Sequence, residues 1–191
     1  MVAILRAADR RAVAWRNGGG LTREVAAHPP QSDLGNFDWR VSLAEVRRGG
    51  PFSSFPGIDR HMAVISGRLE LSISGRDVVS LSSETAPLSF PGEVAVYAEP
   101  QAEAATDLNV MTRRGRFTAR LTRCSVAAST QVRLEADTTM LLALAPLTLC
   151  AAGIDANLSA LDAARLSANT ETLTVRSAAD AAFWLIEIRT A

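Results

Sequence analysis

The sequence predicts an all-β fold of two small barrels, the second of them degenerate. Three observations point to it. Helical periodicity is scarce. Runs with period-two alternation, rich in Val, Ile, Leu and Thr, recur at short spacing between Gly, Pro, Ser and Asp. The run from Asp59 to Leu71 also repeats in outline 78 positions later, matching Asp59 with Asp137, Met62 with Met140, Leu69 with Leu147, Leu71 with Leu149 and Gly75 with Gly153.

The strands follow in order. In 21–26, Leu21 and Val25 share one face and Thr22 and Glu24 the other. In 39–46, Trp39, Val41 and Leu43 oppose Arg40, Ser42 and Ala44. Residues 62–65 and 68–73 flank a Ser66-Gly67 turn and read as a hairpin whose second strand alternates Leu. Short apolar runs follow at 78–81 and 94–97. In 108–112, Leu108, Val110 and Thr112 oppose Asn109 and Met111, and Asp107 lies just before on the latter face. The second half repeats the theme at 117–123, 132–134, 140–145, 147–150, 173–175 and 183–188, with Ala145-Pro146 as its turn. Residues 155–167 fit a turn or two of helix about as well as an irregular strand, because Leu158, Leu161 and Leu166 suit either. The expected domains are 1–115 and 116–191.

Composition excludes more than it proposes. The chain has 191 residues, enough to bury a core without cross-links, and its 20 Lys+Arg, every one an Arg, balance 20 Asp+Glu. Zero net charge gives no footprint for nucleic acid or a membrane surface. Without lysine there is no Schiff-base chemistry and no Walker-type phosphate loop. His28, His61, Cys124 and Cys150 are too few and too scattered for a protein-only metal site. No apolar run reaches the roughly 20 residues of a membrane span. Residues 1–11 lack the apolar core of a signal peptide, so a cytoplasmic protein with reduced thiols is expected, with no cofactor.

A turn into a strand, a Gly or Pro turn and a returning strand with alternating Leu resemble the cupin barrel, a small jelly roll. Metal-binding cupins carry several His here. This chain has only His61 in Ile58-Asp59-Arg60-His61 and none in Phe90–Tyr97, so the resemblance implies a barrel mouth without metal.

Four segments carry chemistry. In Trp15–Glu24, Gly18, Gly19 and Gly20 suit either an anion nest or a plain loop feeding a strand. In Trp39–Val46, Arg40 and Ser42 line something polar, or Arg40 is simply solvated. In Gly50–Arg60 a stiff loop delivers Asp59 and Arg60 to a strand entrance. There Arg60 can clamp a carboxylate, or Asp59 and an Arg merely fix the loop. In Asp107–Gly115, Asn109 reads a ligand amide or carboxylate, or bridges backbone.

Together these segments resemble the HutD/Ves family. The resemblance rests on Trp15, Asn17, Gly18, Gly19, Gly20, Thr22 and Glu24; Trp39, Arg40, Ser42, Ala44 and Val46; Gly50, Phe52, Ser53, Phe55, Pro56, Gly57, Asp59 and Arg60; Phe90 and Gly92; and Asp107, Asn109, Met111 and Arg113. It covers residues 15–115 closely and the remainder in outline. It implies a metal-free two-barrel cupin fold with a regulatory role in histidine utilisation or stress response. The implied ligand is a small carboxylate such as urocanate or N-formylglutamate. The expected ligand-binding residues are Arg60, Arg40, Ser42, Thr22, Glu24, Asn109, Asp59 and Asn17. The alternative is a metal-free isomerase, epimerase or hydrolase of a small acid, with Glu24 or His61 as base and Asp59 orienting. A third reading is an interaction module with a degenerate pocket. A homodimer is compatible with the fold.

Overall fold

The computed structural model describes residues 2–101, 103–151, 153–167 and 170–191. Among them there is no α-helix and a single turn of 3-10 helix at Ala7–Asp9. The strands are β1 (Val2–Leu5), β2 (Ala12–Ala14), β3 (Gly20–His28), β4 (Trp39–Val46), β5 (Gly50–Pro51), β6 (Ile58–Ser66), β7 (Arg68–Ile73), β8 (Val79–Ser82), β9 (Leu88–Pro91) and β10 (Val96–Pro100). After these come β11 (Ala105–Arg113), β12 (Phe117–Val126), β13 (Ser129–Arg133), β14 (Thr138–Ala143), β15 (Leu147–Ala151), β16 (Ile154–Leu158), β17 (Ala163–Ser167), β18 (Thr172–Arg176) and β19 (Ala181–Thr190). No helix here is long and apolar enough to cross a membrane.

The chain divides into two compact units, Arg11–Thr118 and the chain up to Arg10 together with Ala119–Ala191. The first unit therefore does not start at residue 1 as the sequence suggested. β1 pairs antiparallel with β17, Val2 opposite Leu166, so the N-terminal strand completes the C-terminal unit. A four-residue apolar strand says nothing about which distant strand it joins.

Unit 11–118 is a double-sheet jelly roll. Its sheets run β2-β3-β4-β11-β6-β9 and β5-β10-β7-β8. Met62, Val64 and Phe90 from the larger sheet and Leu69, Leu71, Ile73, Leu81, Val96 and Ala98 from the smaller form one buried cluster. Antiparallel alternation puts every second residue of β6, β11 and β4 on that inner face. Gly67 alone links β6 to β7. Its φ of +74° suits glycine, and a Cβ there would lie 2.8 Å from the carbonyl oxygen of Ala104.

The C-terminal unit has the same connectivity. Its sheets run β1-β17-β14-β19-β12 and β13-β18-β15-β16, so β12-β19-β14-β17 matches β4-β11-β6-β9 in order. The sequence repeat is thus visible as topology. Its offset of 78 holds after the central turn: Leu147 and Leu149 are buried as Leu69 and Leu71 are, and Gly153 matches Gly75 with φ of +76° against +78°. Upstream it slips by one. Residues 144–146 link β14 to β15, and Leu141, not the equally buried Met140, joins the interior cluster opposite Leu185, as Met62 sits opposite Asn109. A one-residue shift turns a strand over, so Met140 faces the other way from Met62.

The ambiguous stretch 155–167 is two strands, β16 and β17, whose Leu158 and Leu166 point into the core. The Asp162 carboxylate holds the turn between them, accepting from Ser159 N at 3.0 Å and Ala7 N at 2.7 Å. Two strands win because the apolar residues serve a sandwich interior, not one helix face.

Leu71 and Leu149 occupy equivalent, fully buried positions in the two units. Leu71→Ala and Leu149→Ala are each expected to lower stability by about 2–5 kcal/mol, read from urea denaturation.

Candidate functional site

The inner face of the larger sheet in unit 11–118 carries three polar rows. Cross-strand pairing places Arg40, Met111, Arg60 and Phe90 side by side. The next row is Glu24, Ser42, Asn109, Met62 and Leu88. The third is Thr22, Ala44, Asp107 and Val64. Residues two apart along a strand share a face, so these rows look into the barrel with the core residues Met62, Val64 and Phe90.

Arg60 is only 6% exposed. Its guanidinium carbon lies 4.8 Å from the Phe52 ring centroid and 5.2 Å from that of Phe90. Desolvated cation–π contacts of this kind contribute about 2 kcal/mol or more. Beside these ring contacts, the guanidinium Nε is buried and has no hydrogen-bond partner. Burial pulls its pKa down to about 10, with Asp107 opposing and Arg40 adding to the fall, so it stays charged at neutral pH.

Asp107 is 1% exposed and Asn109 7%. Neither carboxylate oxygen of Asp107 and not the Oδ1 of Asn109 has a hydrogen-bond partner. Burial pushes the Asp107 carboxyl up to about 7, with the nearby Arg60 pulling the other way. The barrel face thus holds a cation, an amide oxygen and an acid in three successive rows, with Arg60 Nε, Asn109 Oδ1 and both Asp107 oxygens unpaired. Unsatisfied buried polar groups are rare in folded proteins and cost about 1–3 kcal/mol each.

At the rim, Arg40 Nε donates to Glu24 Oε2 at 2.8 Å, with the Glu24 side chain 43% exposed. Thr22 Oγ1 accepts from Trp15 Nε1 at 2.8 Å, and Trp15 stands edge-on to Phe52 at 6.2 Å. The second row's Ser42 is buried.

Of the residues expected from sequence, the fold brings Arg60, Arg40, Ser42, Thr22, Glu24 and Asn109 onto this face. Asn17 and Asp59 lie elsewhere. Asn17 Oδ1 accepts from Gly19 N at 3.0 Å, and Gly18 N donates to Trp15 O at 3.0 Å. Those two amides close a turn, not an anion nest. Asp59 alternates with Arg60 and so faces away, where Arg114 Nε donates to it at 2.8 Å. His61 also faces away, with Nδ1 2.7 Å from Ser89 Oγ. The base roles considered for Glu24 and His61 thus fall on a residue ion-paired at the rim and on one outside the barrel.

Sequence reasoning left out Asp107 as a site residue, although its place two positions before Asn109 was the available signal. Phe52 and Phe90 were also missed, because their joint approach to Arg60 is a tertiary fact. A separate open groove of about 540 Å³ lies against the smaller sheet, lined by Phe52, Ser72, Ser74, Arg76, Glu93 and Tyr97 among others. Only Phe52 is common to both sites.

The C-terminal unit has no such polar set at the matching positions. The pairing that sets Asp107 opposite Val64 and Asn109 opposite Met62 sets Phe183 opposite Ala143 and Leu185 opposite Leu141. Its core is apolar there.

A family model described as HutD matches residues 7–184. The chain belongs to the HutD family. It is 36% identical over 109 residues to protein Ves of Citrobacter koseri, and the match covers 56% of each chain. The chain thus spans about half the length of that curated relative. It is 26% identical to HutD from Pseudomonas fluorescens, with a TM-score of 0.84 over 100% of both chains. A cupin barrel protein from Leptotrichia buccalis, 11% identical with a TM-score of 0.63, covers 93% of this chain and 92% of its own. That likeness concerns the fold alone. The architecture of this HutD-family chain is the cupin jelly roll.

Asp107 also carries a stability signature. Its folded pKa, about 7, exceeds the ordinary value of 3.8, so the native state holds a proton that the unfolded chain releases. Stability contributed by this group is present below the ordinary carboxylate pKa and falls as pH rises toward 7. Asp107→Asn removes that dependence. Relative to wild type it is expected to gain stability between pH 4 and 7 by up to about 1.4 kcal/mol per pH unit, read from denaturation curves at several pH values.

Proposed function

We propose that unit 11–118 binds a small carboxylate without turnover, and that the protein acts as a regulator in histidine utilisation or stress response by holding or reporting that acid. The observation that carries the reading is the buried, charged Arg60, set against the Phe52 and Phe90 rings with its Nε unpaired. A planar carboxylate is the natural partner of a guanidinium with unpaired N–H groups, because two parallel N–H···O bonds match its geometry. Asn109 and Ser42 would read the rest of the ligand, and apolar walls would orient it. Arg40 adds a second positive charge at the rim, balanced in the free protein by Glu24. Membership of the HutD family supports an acid from histidine breakdown, such as urocanate or N-formylglutamate. Formate, the named condition of the Pseudomonas HutD structure, is the smallest probe of the same chemistry.

A thermal-shift and calorimetric panel of formate, urocanate, N-formylglutamate, glutamate and histidine tests this. An acid present at 100 times its dissociation constant is expected to stabilise the chain by roughly 2.7 kcal/mol. Arg60→Ala is expected to weaken that binding by about 2 kcal/mol or more, roughly thirtyfold. Undiminished affinity in Arg60→Ala removes Arg60 from the site. Product appearing from any of these acids replaces the binding role with an enzymatic one.

A further inference from the structure

Asp107 shares the barrel interior with Arg60 but is not bonded to it. Its own strand presents Ala105 and Asn109 beside it, β4 presents Ala44, and β6 presents Val64, then Met62, then Arg60 along the same face. The facing sheet contributes the apolar Leu69, Leu71, Leu81, Val96 and Ala98. Arg60 is the charged group that bears on Asp107, while Arg40 lies beyond Met111. Both Asp107 oxygens are unpaired and buried.

A ligand carboxylate on Arg60 would therefore be the second acid around one buried guanidinium. Two carboxylates in such a place cannot both stay ionised at low cost, and a proton settles on one of them. The ligand carboxylate would be held as an anion by direct N–H donors. Asp107 has no donor of its own, so it is the group that takes the proton.

We infer that Asp107 is a specificity-determining residue that receives the ligand carboxylate as a neutral acid, its O–H donating to one ligand oxygen while Arg60 N–H groups donate to the other. The inference rests on the carboxylate reading above. The balance is simple: the ligand arrives as an anion, one proton passes from solvent to ionised Asp107, and release of the ligand returns it. The site so built takes an acid and a proton together. Its affinity falls as the medium turns alkaline, even for acids that remain fully ionised throughout.

The test is isothermal titration calorimetry of the whole chain with formate and with acetate, each in buffers of different ionisation enthalpy, at about pH 5.5, 7 and 8.5. The expected result is uptake approaching one proton per acid at the alkaline end and close to none at the acidic end. The dissociation constant should rise about tenfold per pH unit once Asp107 is ionised. Asp107→Asn should still bind both acids, with an affinity flat across the range and no proton uptake. The wild-type buffer comparison stands by itself if that variant folds poorly. A flat wild-type profile without uptake overturns the inference and leaves the carboxylate reading intact. Uptake that persists in folded Asp107→Asn assigns the proton elsewhere and also overturns it. No binding of either acid near pH 5.5, where Asp107 is protonated, overturns the carboxylate reading and this inference with it.

Discussion

A guanidinium buried in a β-barrel with no carboxylate bonded to it is the constraint on which the rest of the site depends. Taking such a charge out of water costs several kcal/mol unless something answers it. Here Phe52 and Phe90 answer part of that cost through their ring faces. The pairing of β6 with β9 sets Phe90 directly beside Arg60, and the loop after β5 brings the Phe52 ring to 4.8 Å from its guanidinium carbon. Trp15 backs Phe52 and is itself tied to Thr22. What the rings do not answer is the hydrogen-bonding demand of Nε, which stays unpaired on the same sheet face as the unpaired Asp107 and Asn109.

The two units show how one connectivity serves two ends. Both place a strand from the C-terminal part of the repeat inside the larger sheet, β11 between β4 and β6 in one and β19 between β12 and β14 in the other. In β11 the inward positions are Asp107 and Asn109, and in β19 they are Phe183 and Leu185. The second choice closes the interior with close-packed apolar side chains. The first leaves hydrogen-bonding groups without partners, an arrangement that lowers stability and is retained in proteins where a ligand completes it.

Much of the fold was legible in the residues. The alternation of Trp39, Val41 and Leu43 against Arg40 and Ser42 identified β4 and its two faces, and the same reasoning worked for β11. The hairpin around Gly67 was marked by its turn residues. Some of the shortest strands were not legible. β1, β2 and β5 are two to four residues long and are defined by their partners rather than by any pattern. In 155–167, Leu158 and Leu166 satisfied both periods, and only the presence of a second sheet to pack against chose between them. Of the candidate site, six of the eight expected residues share the barrel face by strand parity alone. Asn17 and Asp59 do not, because one is a turn residue and the other sits on the opposite parity from Arg60.

The sequence by itself determined the class of fold, the family and the face on which each strand residue stands, since side-chain direction along a strand follows from period two and needs no partner. It determined too that the bases are all arginines, and hence that planar anions suit them. Only the tertiary structure decided which of those faces meet. It decided that Arg60 meets rings from two other segments, that Asp107 is stranded within reach of its charge, and that the N-terminal strand belongs with the C-terminal unit. These are properties of burial and of strand order across long sequence separations, and water excluded from a particular spot is not written in any local run of residues.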